Sequence, residues 1–410
     1  MCCCIFACNR ESYKMNNMKK LITATLLLAC SATAVVAQGN EGYVFTPVKE
    51  LKITPIQNQS RTGTCWCFSS LAFIESELIR MGKGEHNLSE MFIVNHSYRD
   101  KADRYVRLHG FLNFAQGGGF YDVLYGIKHY GLVPESVMPG LEYGEDIHVH
   151  GEMESAAAAY VEAIIKNKNG KLSTAWKKGF DGIIDAYLGK LPETFSYNNK
   201  QYTPMSFAKE LGINADDYVS LTSYTHHPFY SSFALEIPDN WRWAESYNLP
   251  INEFMEVFDY SINNGYTIAW ATDVSEVGFT RNGIGVMPDV ETIETSGSDQ
   301  DRWVGLSATE KNAELRKLVE KPIQELTITQ EMRQKAYDNY QTTDDHGMQI
   351  YGIAKDQNGK KFYMVKNSWG TNSKYEGKWY VSEPFVAYKT MNIIVHKNAI
   401  PAAIRTKLGL

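Results

Sequence analysis

Cysteine, histidine and side-chain amides are spaced along this 410-residue chain as nucleophilic chemistry would require them. The stretch QNQSRTGTCWCFSS carries two thiols, Cys65 and Cys67, separated by one tryptophan, and Gln59 precedes both. Far along the chain, His346 precedes the apolar stretch GMQIYGI, and Asn367 begins the stretch NSWG. A thiol nucleophile needs a base, a group that orients the base, and a donor for the developing oxyanion. The chain offers one candidate for each role.

Cys65 is predicted to be the nucleophile, at the start of a helix. In CWCFSSLAFIESELIRMG the apolar residues recur mostly on one face, and Gly82 marks the end of the helix. Aligned peptide dipoles at a helix start favour an anion, so we expect a lowered pKa for the Cys65 thiol. Cys67 points elsewhere and is predicted to be a small core residue. Gln59 is expected to donate its amide to the oxyanion, together with the Cys65 backbone N–H.

Two strands joined by a turn are predicted to position the other partners. GMQIYGI and KKFYMVK have strand composition, and the Asn358-Gly359 dipeptide between them indicates a tight hairpin turn. His346 then stands at the start of one strand, and Asn367 follows its partner strand, where it can accept a hydrogen bond from the imidazole. Trp369 is expected to shield that bond from water.

The two thiols of the stretch are poor candidates for a disulfide or a metal site. Cys65 and Cys67 are too close in sequence for a disulfide between them to staple any fold. A structural zinc site needs four ligands, and the chain contains no CxxC pair. The remaining cysteines all lie in an amino-terminal segment that we expect to be removed: Cys2, Cys3, Cys4, Cys8 and Cys30.

Two histidine pairs are possible metal ligands, and one acidic pair precedes His346. His148 and His150 form HVH, and His226-His227 are adjacent, but no third or fourth ligand is spaced to join either pair. We therefore predict surface or packing histidines, no metal and no cofactor. Asp344-Asp345 is predicted to be a solvated turn whose charge could raise the pKa of the following histidine.

Composition limits the classes of partner. The formal net charge of −6 and the pI near 6.0 argue against nucleic acid, because phosphate binding needs a basic face. With 44% hydrophobic residues, a chain of this length can bury one large core or two moderate ones.

The amino-terminal segment is typical of an export signal. Met18 and two lysines lead into LITATLLLACSATAVVA, a basic start followed by an apolar run and small residues. We predict an over-extended start plus signal peptide over residues 1–37, with the true start at Met18 and cleavage after Ala37. The mature chain is then periplasmic or secreted, and no stable membrane span is expected. A minority alternative is lipoprotein anchoring through Cys30.

Taken together, these motifs resemble the papain-like cysteine peptidases. Gln59, the CWCF stretch with Trp66, His346 and KNSWG follow the order of that family. Thr62 occupies the place of a further family cysteine, and 281 positions separate Cys65 from His346. Papain itself has a spacing of roughly 130–150 residues. Both departures point to the bleomycin hydrolase and aminopeptidase C branch of the family. The stretches GGGFYDVLYGIKHYGLVPE and YNLPINEF also resemble that branch.

The resemblance implies an α+β, papain-like fold with a helical half, a β-barrel-like half and a large inserted helical subdomain. The helical half is expected over residues 38–150, the inserted helical subdomain over 151–245, and the β-rich half over 246–410. A charged helical segment is predicted over residues 308–340. It also implies peptide or unfolded-protein substrates, no cofactor, and a homohexamer with inward-facing sites.

Two further expectations concern substrate specificity. By resemblance, Gly118 and Gly119 bind the substrate backbone, since glycine permits close approach of a peptide; a flexible turn is the alternative. The family's carboxy-terminal arm limits cleavage to the amino-terminal residue, yet this sequence ends 43 residues after Asn367. We therefore expect endopeptidase or dipeptidyl activity. The alternative function is a catalytically silent, secreted binding or assembly protein.

Overall fold

The structure, a computed structural model, describes residues 42–295, 303 and 306–410. Residues 44–410 form one compact unit. The predicted export segment, residues 1–37, lies outside the described residues. Among the helices that the structure describes, none has both the length and the apolar character that crossing a membrane requires.

The first half of the compact unit is mainly helical. Its helices pack their apolar faces into one core that includes Leu71, Phe92 and Val123. The Ser89 hydroxyl caps the second helix by accepting a hydrogen bond from the Phe92 N–H. The helices are α1 (Cys65–Arg80), α2 (Glu90–Arg107), α3 (Phe120–His129), α4 (Gly151–Ile165), α5 (Ala175–Leu188) and α6 (Pro204–Leu211).

The second half is built on a ten-stranded mixed sheet. The strands that form it are β1 (Thr46–Glu50), β4 (Tyr218–Thr222), β5 (Ser232–Ala234), β6 (Glu245–Asn248), β7 (Ile268–Thr272), β8 (Ile284–Gly285), β9 (His346–Lys355), β10 (Lys361–Lys366), β11 (Lys378–Ser382) and β12 (Thr390–His396). Their order is β5-β6-β4-β12-β7-β9-β10-β11-β8, and β1 pairs with β9. A separate hairpin contains β2 (Phe195–Tyr197) and β3 (Lys200–Tyr202).

The remaining helices surround this sheet. They are α7 (Ile251–Asn263), α8 (Val290–Thr295), α9 (Ala308–Leu318), α10 (Gln330–Asp338), α11 (Glu383–Lys389) and α12 (Ala402–Leu408). Apolar residues of α7, α11 and α12, such as Phe258, Phe385 and Ile404, join strand residues in a second core.

The charged segment 308–340 contains two helices, α9 and α10, rather than one. Pro322 lies in the interruption, where a proline cannot donate to a helical hydrogen bond.

The segment 151–245 is not helical throughout. It contains α4, α5 and α6, but β4, β5 and the first residue of β6 extend the main sheet beside β12. Strand β4 is antiparallel to β12, and its Leu221 lies opposite Ile393. The boundaries of an inserted subdomain therefore stay a prediction, because the sheet continues across the proposed boundary at residue 245.

Helix α1 lies directly against β9, which brings the two halves of the sequence together. A Cβ atom added to Gly347 would lie 2.8 Å from the Ser69 hydroxyl and 3.0 Å from the Phe120 ring, so a larger residue would require these side chains to move. Farther along, the Gln349 side-chain amide donates to the Ser76 hydroxyl at 2.7 Å. These contacts fix the start of α1 beside the start of β9.

Candidate active site

A cleft of about 600 Å³ lies where α1 and β9 begin. Cys65 and His346 both line it, together with Trp66, Gly118 and Gly119. Cys65 is the first residue of α1, and His346 is the first residue of β9. Residues separated by most of the chain thus face one cavity, because α1 packs on the strand that starts with the histidine.

The imidazole of His346 is held in place on two sides. Its Nε2 atom lies 2.8 Å from the Asn367 Oδ1 atom, across the hairpin formed by β9 and β10. The indole of Trp369 stacks on the ring with centroids 4.6 Å apart. His346 and Asn367 are both buried, whereas Trp369 remains partly exposed and covers the pair from outside. The structure thus brings Asn367 and Trp369 into contact with the imidazole, and their orienting and shielding roles stay predictions.

Cys65 is partly exposed to the cleft, yet the protein atoms around its thiol desolvate it. Burial raises the pKa of this thiol to about 12, against the lowering effect of backbone hydrogen bonds at Gly347 and Trp66. The charges of Asp344 and Asp239 raise the pKa further. The prediction of a lowered pKa is therefore wrong for the substrate-free chain. The dipole of α1 acts on the sulfur, but the loss of water around it has the larger effect.

Burial also keeps the histidine neutral. It lowers the pKa of His346 to about 4, and the hydrogen bond with Asn367 opposes this effect. The expected raising of this pKa by the preceding aspartates is therefore not observed. Burial thus favours the uncharged forms of both the Cys65 thiol and the His346 imidazole in the substrate-free cleft.

Gln59 belongs to the same hydrogen-bonded framework. Its Oε1 atom accepts from the Ser368 hydroxyl at 2.6 Å, and its backbone N–H donates to the Ser368 carbonyl at 2.9 Å. Its Nε2 atom donates to the Thr62 carbonyl at 2.7 Å. Because an amide NH₂ carries two donor protons, one proton remains for another acceptor. Gln59 thus connects the loop before α1 to the residue that follows Asn367.

A model of the Peptidase C1-like family matches residues 87–299 and 303–409. The chain belongs to this family. The matched residues include His346 and Asn367, while Cys65 and Gln59 precede them. Fold class, family and reaction class now agree: the protein is a papain-like cysteine peptidase of the aminopeptidase C type.

Similar proteins support this assignment, and their alignments cover most of both chains. Aminopeptidase C of Streptococcus thermophilus is 22% identical over 97% of this chain and 92% of that protein. Bleomycin hydrolase of Mus musculus is 23% identical over 93% and 88%, respectively. The crystal structure of PepW from Lactobacillus rhamnosis superposes with a TM-score of 0.68 at 19% identity, covering 98% of this chain and 96% of that one. The last comparison confirms the predicted fold.

The glycine stretch of the peptidase forms one wall of the cleft. A Cβ atom on Gly118 would lie 2.8 Å from the Asp122 carboxylate and 2.9 Å from the Trp66 ring. At Gly119, which has an extended backbone, an added Cβ would meet no atom within 4 Å. The two glycines therefore differ: Gly118 is required by packing, whereas Gly119 leaves open space at the cleft.

Changing Gly119 to alanine tests whether this space receives substrate. We expect the free energy of unfolding to change by less than about 0.5 kcal/mol, since the methyl group meets no protein atom. We expect KM to rise about tenfold, because the methyl group would displace a peptide backbone lying on this wall. Thermal melting and steady-state kinetics with a peptide substrate measure both effects. Gly182→Ala, in α5 and equally unobstructed, is the matched control; an unchanged KM for Gly119→Ala would contradict a substrate role.

Two carboxylates of the cleft were not recognised in the sequence as site residues. Asp239 and Asp344 both line it beside Cys65. Asp239 accepts a hydrogen bond from Asn113 at 3.1 Å, whereas Asp344 forms none with the residues that the structure describes. Burial raises the pKa of Asp344 to about 8, and the charges of Asp239 and Asp345 add to this effect. Asp345 also lines the cleft, but it is exposed and accepts hydrogen bonds from the Val274 N–H at 2.8 Å and the Ser275 hydroxyl at 2.5 Å, whereas Asp344 is only partly exposed.

The remaining predictions about cysteine and histidine have mixed outcomes. Cys67 is fully buried in the helical core, as predicted. His150 is buried, and burial lowers its pKa to about 3, as expected of a packing histidine. The statement that no third ligand joins His226-His227 is wrong, because the fold brings Glu236 to both rings. The sequence gives no sign of this contact, which depends on the loop that follows β4.

Proposed function

We propose that Cys65, His346 and Asn367 form the catalytic triad of this peptidase and hydrolyse peptide bonds through an acyl-enzyme. The observation that carries the proposal is the 2.8 Å hydrogen bond between His346 and Asn367 at the cleft that contains the Cys65 thiol. With Nε2 bonded to Asn367, the Nδ1 atom of the same ring is free to accept a proton. No cofactor takes part in the proposed reaction.

The reaction starts from the neutral pair. The His346 Nδ1 atom accepts the thiol proton while the Cys65 sulfur attacks the peptide carbonyl carbon. The second amide proton of Gln59 and the Cys65 backbone N–H donate to the oxyanion. The C–N bond then breaks, His346 returns the proton to the leaving amine, and water hydrolyses the thioester. The buried, preorganised donors favour the charged transition state over the neutral ground state.

We further propose that the cleft carboxylates receive a positively charged group of the substrate. Asp239 and Asp344 place two carboxyl groups within the cleft, and an ammonium placed beside them would favour their ionised forms. The free α-amino group of a peptide is the corresponding group in an aminopeptidase substrate. Residues 402–410 are not among those that line the cleft, so endopeptidase or dipeptidyl cleavage is proposed as a secondary activity.

Peptides with free and blocked amino ends test this specificity. We expect kcat/KM to be about tenfold to 100-fold higher for the free peptide, because only its ammonium ion pairs with the carboxylates. In Asp344→Asn this preference should fall about tenfold, with little change for the blocked peptide. Asp146→Asn, an exposed site outside the cleft, is the control. Equal rates for both peptides in the unmodified enzyme would exclude recognition of the amino group.

A separate measurement distinguishes an enzyme from a binding protein. An epoxide-type thiol inhibitor should abolish all peptidase activity as it labels Cys65. A chain that folds, accepts the label and has no activity to lose would instead be a silent scaffold with a binding or assembly role. Export of the mature chain and a homohexameric assembly remain proposals based on the signal-like segment and on family resemblance.

A further inference from the structure

We propose that His226, His227 and Glu236 form a binding site for a divalent transition metal ion of the zinc class, on the outer side of the cleft wall. The His226 Nε2 atom lies 3.0 Å from one carboxylate oxygen of Glu236, and the His227 Nε2 atom lies 3.3 Å from the other. The three ligand groups lie within 4.8 Å of one another. This inference is independent of the proposed catalytic function.

The spacing of the ligand atoms suits a small cation. Zinc ligands lie at about 2.0–2.1 Å from the metal in a tetrahedron, which places neighbouring ligand atoms about 3.3 Å apart. The two distances from His226 and His227 to Glu236 already have this size. Two imidazoles and one carboxylate are a donor set that zinc accepts, with water in the remaining position. The side chain of Glu236 is largely exposed, so solvent can reach that position.

Packing fixes the orientation of both rings. The ring of His226 stacks on Tyr337 with centroids 5.5 Å apart, and the ring of His227 stacks on Phe233 with centroids 4.2 Å apart. On the other side of the ring, the His226 Nδ1 atom lies 3.1 Å from the Gln334 Nε2 atom and 3.4 Å from the Gln334 Oε1 atom. With a metal on Nε2, Nδ1 carries the proton and can donate to Oε1, which is the usual outer-shell arrangement.

The backbone that carries the histidines is also held in place. The fully buried Asn248 donates from its side chain to the carbonyls of Tyr224 and His227 at 2.7 and 2.9 Å. The Tyr337 hydroxyl donates to the Glu236 carbonyl at 2.7 Å. The site is therefore preorganised, and a metal ion would lose little free energy to ordering of its ligands.

The proposed metal site adjoins the active-site cleft through the short segment 235–237, which follows β5. Leu235 and Ile237 line the cleft, whereas Glu236 between them faces the histidines. The Ile237 N–H donates to the Leu235 carbonyl at 3.0 Å, so the chain makes a tight turn at Glu236. A bound metal would hold this wall of the cleft to the loop after β4.

Zinc binding should be measured on the full mature chain without a histidine tag. The Cys65→Ala variant is the starting protein, because it removes the catalytic thiol as a competing ligand. Isothermal titration with Zn²⁺ is expected to show one ion per chain, and Co²⁺ should give the visible absorption of a tetrahedral site. Glu236→Gln and His227→Asn should each weaken binding at least about tenfold. His129→Asn, an exposed histidine outside the site, should leave affinity unchanged.

Thermal melting of each variant without metal verifies that the fold is retained. The zinc-bound Cys65→Ala chain should melt at a higher temperature than the metal-free chain, and the Glu236→Gln chain should lose this shift. The proposal is overturned if Cys65→Ala binds no Zn²⁺, or if Glu236→Gln and His227→Asn bind it as tightly as their parent. In either case the two histidines and Glu236 form only a hydrogen-bonded contact.

Discussion

Replacing Cys65 with alanine is expected to lower kcat/KM by about 10⁵-fold, which corresponds to about 7 kcal/mol of transition-state stabilisation. The sulfur is the only protein atom in the proposed mechanism that forms a covalent bond with the acyl carbon of the substrate. Without the sulfur no tetrahedral intermediate forms with the enzyme, so the oxyanion donors have no charge to stabilise. The measurement is steady-state hydrolysis of a peptide with a free amino end, on protein whose fold is verified by circular dichroism.

Cys67→Ala is the matched control for this substitution. Cys67 lies two residues later in the same helix, and its thiol donates to the Glu90 carbonyl at 3.4 Å in the core. We expect this variant to lose about 1–2 kcal/mol of stability and less than about threefold in kcat/KM. If Cys67→Ala were inactive while Cys65→Ala kept its activity, the nucleophile would be wrongly assigned.

Replacing His346 with glutamine is expected to lower kcat by about 10⁴-fold, because glutamine cannot accept the thiol proton. Burial places the pKa of His346 at about 4, so its neutral form is available at higher pH. In the unmodified enzyme, kcat/KM should therefore fall as the pH drops through about 4 and the imidazole becomes protonated. The residual activity of His346→Gln should lack this acid limb.

The double variant separates a catalytic unit from two independent residues. Groups that act in one step lose their effect together, so Cys65→Ala with His346→Gln should be no slower than Cys65→Ala alone. Multiplicative losses would show that the thiol and the imidazole act in separate steps. His129→Gln controls for the loss of a histidine, since His129 is exposed at the end of α3.

Local sequence patterns predicted the elements that carry the site. The helical period after Cys65 indicated α1, and α1 does begin at that residue. The Asn358-Gly359 dipeptide indicated the hairpin of β9 and β10, which the structure closes with the longer loop 356–360, where Gly359 has a positive φ of 80°. The hairpin alone places His346 and Asn367 near each other, because they lie at the open ends of paired strands.

Longer-range properties of the same residues were not predictable. The pKa of Cys65 depends on how much water the folded cleft excludes, and a helix-start pattern contains no information about that burial. Asp344 looked like part of a solvated turn, yet the path of the chain before β9 turns its carboxylate into the cleft. The strands within residues 218–248 were missed as sheet members because they are short and their partners are distant in sequence.

The sequence by itself determined the chemical groups of this peptidase, the helix start that bears its thiol, and the hairpin that pairs imidazole with amide. Those features depend on residue type and on neighbours within a few positions. Only the tertiary structure decided the depth of the cleft, the carboxylates that line it, and the meeting of Glu236 with two histidines. Each of these results from contacts between distant segments, whose geometry is set by packing of the whole core rather than by any local pattern.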